Sequence, residues 1–133
     1  MNRLLILLCI LISGSLYAQV HKSYAMPEDT TVYSIVDKDP EFQGGRDAMY
    51  KFIYSNFNYQ KMGEIDVQGK IFVQFVVEKN GCVSNIKITR NLDPFCDSEA
   101  IRIIRLMPKW KPGEFRNKKV RTKIEIPITV RLE

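Results

Sequence analysis

Met107-Pro108-Lys109-Trp110-Lys111-Pro112-Gly113 closes an amphipathic helix and opens onto the cleanest alternating strand of the chain. Pro108 lacks a backbone N–H and its ring clashes with the preceding turn, so a helix carrying Ile103, Ile104 and Met107 has to stop there. Trp110, the sole tryptophan, lies between two lysines, an arrangement in which the ring covers a core while Lys109 and Lys111 stay in water. Pro112-Gly113 then turns the chain. From Val120 the even positions read Val, Thr, Ile, Ile, Ile, Val, Leu and the odd ones Arg, Lys, Glu, Pro, Thr, Arg. Period two over that length predicts a strand with one buried and one solvated face. Pro127 cannot donate to a neighbour, so one edge of this strand is expected to be free and available to a partner.

Upstream, Val67 to Glu78 reads as a strand and Cys82 to Arg90 as its return, joined by Lys79-Asn80-Gly81. Asn-Gly between two apolar runs is a strong hairpin signal, because both residues tolerate positive φ. The spacing of Val83, Ile86 and Ile88 breaks alternation once and predicts a bulge near Ser84 and Asn85. Two helices complete the inventory. One runs from about Gly45 to Asn56 with Met49, Phe52, Ile53 and Phe57 at helical spacing, and the other from Ser98 to Met107 with Asp97 as its N-cap. The economical arrangement is an α+β domain, a three-stranded antiparallel sheet with two helices packed on one face.

Residues 1–18 have the layout of a secretory signal, with Arg3 before the apolar run Leu4 to Ile12 and Leu16-Tyr17-Ala18 ahead of the expected cleavage site. The apolar run is too short for the ~20 residues of a spanning helix. Residues 19–33 are polar and aperiodic, the expected linker or tail, and 34–133 form the domain. The chain carries a formal net charge of +5, which losing Arg3 would reduce to +4. Seven of its basic residues fall between Lys109 and Lys123, with Glu114 the only acid among them. Alternation already accounts for Arg121 and Lys123, so a solvated strand face is the favoured reading over an anionic-polymer site, and nucleic acid is not an expected partner of an exported chain. Export permits disulfides, yet Cys82 and Cys96 are expected at opposite ends of a strand more than ~20 Å long, and both are read as free thiols.

Catalysis or metal binding would need histidine, cysteine or carboxylates converging. The sole histidine, His21, lies in the tail. Asp37, Asp39 and Glu41 read as solvated loop carboxylates, and Gly44-Gly45 as a helix entry rather than a phosphate loop, since no downstream lysine follows. No enzyme, cofactor or metal site is expected, and a binding module remains. Its surface is the edge of the last strand, with Lys123, Glu125, Pro127, Thr129 and Arg131 as the pairing positions.

Several motifs in order make the chain from about Ile35 to Leu132 resemble the TonB carboxy-terminal domain, in the form found among Bacteroidetes-type bacteria. Pro40-Glu41-Phe42-Gln43-Gly44-Gly45 is similar to the family's entry segment, and Val67 to Val77 followed by Lys79-Asn80-Gly81 to its central hairpin. The Met107 to Gly113 stretch and the closing Ile126-Pro127-Ile128 also match. The motif residues are Gly44, Gly45, Gly69, Gly81, Pro108, Trp110, Pro112 and Gly113. The resemblance implies a periplasmic domain that pairs its last strand with the TonB box of outer-membrane transporters, with an ExbB/ExbD motor as a further partner if the chain is anchored in the inner membrane. Homodimers are a further possibility, as is a stand-alone envelope protein that self-associates or touches an anionic wall polymer. The chain departs from the family pattern in having no histidine in its apolar segment, glutamines at positions 43 and 60 in place of prolines, and a linker of about 15 residues that reaches only ~50 Å when extended.

Overall fold

A computed structural model of the protein describes residues 28–62 and 66–131. The signal and most of the tail expected for residues 1–27 lie outside the described residues. Five strands and three helices are described: β1 (Val32–Tyr33), α1 (Gly45–Asn56), α2 (Tyr59–Met62), β2 (Gly69–Val77), β3 (Val83–Arg90), α3 (Pro94–Arg105), β4 (Gly113–Phe115) and β5 (Lys118–Val130). The sheet runs β1-β5-β2-β3, with β4 pairing the first residues of β5. Three of these strands, β5, β2 and β3, form the expected antiparallel sheet. The expectation of three strands in all is corrected by β4, antiparallel to β5, and by β1, which pairs parallel to it and makes the sheet mixed. Residues 29–33 fall in the stretch expected as linker. Here they are docked: Arg121 Nη1 donates to the Thr30 carbonyl at 2.7 Å and Lys79 Nζ to that of Asp29 at 2.9 Å.

Alternation decides which face is covered. Ile71, Val73, Phe75 and Val77 of β2 and Ile126, Ile128 and Val130 of β5 are buried against Met49 and Ile53 of α1 and Cys96, Ala100, Ile103 and Ile104 of α3. Each fully buried isoleucine contributes about 1.5–3 kcal/mol of transfer free energy, and both long helices spend their apolar stripes on this one layer. Cys96 is fully buried and Cys82 exposed, and both thiols are free. Burial, with the Asp93 carboxylate adding to it, pushes the Cys96 thiol up to about 11, so it stays protonated and unreactive.

The turns differ from expectation in instructive ways. Glu78 N donates to Cys82 O and Gly81 N to Glu78 O, both at 2.8 Å, so a three-residue loop closes the β2–β3 hairpin with only Gly81 at positive φ (86°). The β4–β5 hairpin was not anticipated. Its two-residue loop, Arg116-Asn117, has φ of 51° and 61°, the primed geometry that matches strand twist. The predicted bulge is present where Asn85 has φ 49° and the register slips between Gln74 and Val76, and a second slip lies between Phe72 and Val73. Alternation on β3 is therefore broken twice rather than once.

The expectation of two helices is corrected by the short α2, and α3 starts four residues before the expected Ser98 and ends at Arg105. Asp93, not Asp97, is its N-cap, accepting from Phe95 N at 2.9 Å and Cys96 N at 3.1 Å, and Pro94 occupies the first helical position, where its missing N–H costs nothing. Asp97 is buried, and its carboxylate accepts from Leu92 N and Asn91 Nδ2, tying the β3–α3 loop to the helix. Asp93→Ala removes the cap and is expected to lower the unfolding free energy by about 1 kcal/mol in urea titration, with Asp93→Ser retaining most of it.

Candidate functional site

The outer edge of β5 is the surface that the fold leaves open. Antiparallel pairing with β2 runs from Thr122 opposite Val77 to Val130 opposite Gly69 and occupies one edge. On the other edge β1 pairs only at Arg121 and Thr122. Beyond Thr122 no described strand lies on that side. Backbone groups of a strand alternate between its two edges. The bonds made by Pro127 O and Thr129 N, described below, identify the odd residues as those facing outward. Lys123 and Glu125 are exposed, Pro127 and Thr129 half-buried, and Arg131 lies exposed just past the strand. Four of the five predicted pairing positions thus follow one another along the outer side of β5, and Arg131 lies beyond its end.

A groove of about 400 Å³ runs beside this edge, between Ile124–Pro127 of β5, the first turns of α1 and the entry loop at Pro40–Phe42. The loop is built by backbone pairing with the Trp110 segment. Glu41 N donates to Lys111 O at 2.9 Å, Lys111 N to Glu41 O at 2.8 Å, and Trp110 N to Gly81 O at 2.8 Å. Gly44, left-handed at φ 87°, is the N-cap of α1, and Gly45 starts the helix. Pro108 and Pro112 flank Trp110 in the connection from α3 to β4, and Gly113 opens β4. Gly69 opens β2 against Leu92, whose Cδ1 would lie 2.6 Å from a Cβ at that position. Of the motif residues, Gly45 and Trp110 line the groove, while Gly69 lies away from it, level with Val130.

Trp110 is buried between two exposed lysines, as the sequence predicts. Its ring meets Phe42 edge-on at 5.5 Å and Phe75 at 5.6 Å. Its Nε1–H is buried and has no acceptor among the described residues.

Tyr50 and Tyr54 of α1 were not singled out by sequence reasoning. They lie one turn apart, one residue on from the buried Met49 and Ile53, which turns them toward β5. Tyr50 Oη donates to the Pro127 carbonyl at 3.1 Å, and Tyr54 Oη accepts from Thr129 N at 3.1 Å. Their rings stack at 6.0 Å with 17° between planes, and the Arg46 guanidinium lies 5.8 Å from the Tyr50 centroid. The edge expected to be free is thus partly satisfied by side chains at its far end. The i, i+4 pair of tyrosines was the available signal.

The basic run divides. Arg121 is taken up by Glu78, with Nε to Oε2 at 2.7 Å, and this hydrogen bond holds the Glu78 carboxyl below its usual range. Lys38 pairs with Glu114 at 3.4 Å, while Lys118 and Lys119 are exposed. No cluster of three or more potential metal-ligating side chains exists among the described residues. No described helix is long and apolar enough to cross a membrane.

Two NMR solution structures of the Helicobacter pylori TonB-CTD are similar to this chain. That of residues 179–285 is 22% identical over 64% of this chain and 79% of its own, with a TM-score of 0.42. That of residues 194–285 is 24% identical over 64% and 90%, with a TM-score of 0.46. None of the curated proteins matches the chain. The family model for the Gram-negative bacterial TonB protein C-terminal matches residues 60–132, which take in β2 to β5 and the whole Trp110 connection. With more than half of its length so matched, the chain belongs to the TonB C-terminal domain family.

Proposed function

We propose that this chain is a periplasmic binding domain that takes the TonB-box segments of outer-membrane transporters as an added strand on the outer edge of β5, and so contributes to TonB-dependent transport. The observation that carries the reading is the outer edge beyond Thr122, open beside a groove of about 400 Å³. Backbone bonds to Lys123 and Glu125 would supply affinity, and the groove would select side chains. Family membership supports the same reading. Delivery to the periplasm follows from the signal expected over residues 1–18, and engagement of an ExbB/ExbD motor would require the amino terminus to stay anchored. The domain acts by binding, without catalysis.

Glu125→Pro tests this. The substitution removes an outward amide while the β2-facing bonds of Ile124 and Ile126 remain, and Pro127 shows that the strand accepts proline in this phase. Binding of short synthetic peptides copied from the amino-terminal segments of the bacterium's outer-membrane transporters, followed by calorimetry, is expected to weaken by about tenfold or more through loss of outward pairing. Unchanged affinity, or loss of binding only in a Lys118→Glu, Lys119→Glu variant, would overturn strand addition in favour of contact with an anionic polymer.

A further inference from the structure

The open part of the β5 edge is bounded at both ends. At its start, β1 places Val32 level with Arg121 and Tyr33 level with Thr122, so an added strand cannot run further toward Lys118 without displacing it. At its far end, Pro127 has no amide to offer, its carbonyl is bonded by Tyr50, and the Thr129 amide is bonded by Tyr54. A partner strand extending over residues 127–129 would have to break both hydroxyl bonds and unseat two stacked rings. Between the two stops, the outward backbone groups left to a partner are the Lys123 carbonyl and the amide and carbonyl of Glu125, since parallel pairing of Tyr33 with Thr122 engages the Lys123 amide.

We infer that Tyr50 and Tyr54 are specificity-determining residues that act as a register stop, confining the added strand to the short window at Lys123–Glu125. The inference rests on the strand-addition reading and names the segment that the edge would take. Side chains of paired strands alternate together. The partner residue level with Ile124 therefore points to the helix side, into the groove lined by Phe42, Met49 and Trp110. Its two neighbours lie on the outer face beside Lys123 and Glu125. The fitting partner is a short extended segment with one apolar side chain in the groove, an acidic residue beside Lys123 and a basic one beside Glu125. Backbone pairing alone would accept any strand. The stop makes the position of that apolar residue decisive, because a slip by one places it on the wet face.

The test compares the full chain with a Tyr50→Phe, Tyr54→Phe variant, which keeps both rings and loses both hydroxyls; Met49 and Ile53 still anchor α1. In the wild type, the transporter-derived peptides are expected to perturb the amide resonances of Lys123 and Glu125 and to leave that of Thr129 unchanged. In the variant, the perturbation is expected to extend through Thr129 and the affinity to rise about tenfold, as the freed carbonyl and amide pair with the peptide. Without peptide, exchange of the Thr129 amide should be faster in Tyr54→Phe than in the wild type. Perturbation of Thr129 equal to that of Glu125 in the wild type, or no gain in the variant, overturns the stop and leaves strand addition standing. Peptides that perturb neither Lys123 nor Glu125 in either protein overturn strand addition, and the stop with it.

Discussion

Gly81→Ala is expected to destabilise the domain by about 3 kcal/mol or more, far beyond the usual effect of a turn substitution. Two costs coincide at this residue. Its φ of 86° is strained for any residue with a Cβ. A Cβ there would also overlap the Trp110 carbonyl oxygen, with the Trp110 C and N atoms each 3.2 Å away. Neither side can give way easily, because the Gly81 carbonyl accepts from Trp110 N at 2.8 Å and the Trp110 ring is buried. The hairpin turn and the Trp110 segment approach each other backbone to backbone, and only glycine permits it. Thermal unfolding should show a midpoint lowered by about 12–24 °C, given ~4–8 °C per kcal/mol for a domain of this size. A drop of only a few degrees would mean that the Trp110 segment moves aside cheaply, contrary to this account.

Phe75→Ala is expected to cost about 3–5 kcal/mol. Phe75 is the largest of the fully buried side chains, set in the middle of β2 opposite Ile124 of β5. It supports Trp110 from below, and Trp110 in turn supports Phe42, which packs on Phe52 of α1 at 5.7 Å. Removing it leaves a cavity beneath the wall of the groove, in a protein whose total stability is of the order of 5–15 kcal/mol. Urea unfolding followed by Trp110 fluorescence reads both consequences, a lower midpoint and a changed emission from the folded state. Phe75→Leu, which retains most of the volume, is expected to cost less than half as much. Equal losses for the two variants would show that the edge-on aromatic contact, rather than volume, holds the wall.

How much of this was legible follows the range of the forces involved. The limits of α1 were legible from Gly44-Gly45 and the spacing of Met49 and Ile53, because helix entry and amphipathic period are local. The buried phase of β5 and the half-wet setting of Trp110 were legible for the same reason. The start of α3 was misplaced although its signal was present: Asp93-Pro94 is a cap followed by a first-turn proline, but Asp97 offers a competing carboxylate closer to the apolar stripe. The Arg116-Asn117 turn was hidden because its primed geometry is made without glycine.

The sequence by itself determined α1, the body of α3, the β2–β3 hairpin, the alternating last strand and the family to which the order of motifs points, since each rests on contacts between residues near in the chain. Tertiary structure alone decided that β1 would dock parallel on β5 and that β4 would cover its start. It also decided that the Tyr50 and Tyr54 hydroxyls would meet Pro127 and Thr129, some 75 residues away. The physical reason is that these contacts depend on where α1 lies across the sheet and how it is rotated, and that is set by the packing of Met49 and Ile53 into a core drawn from the whole chain.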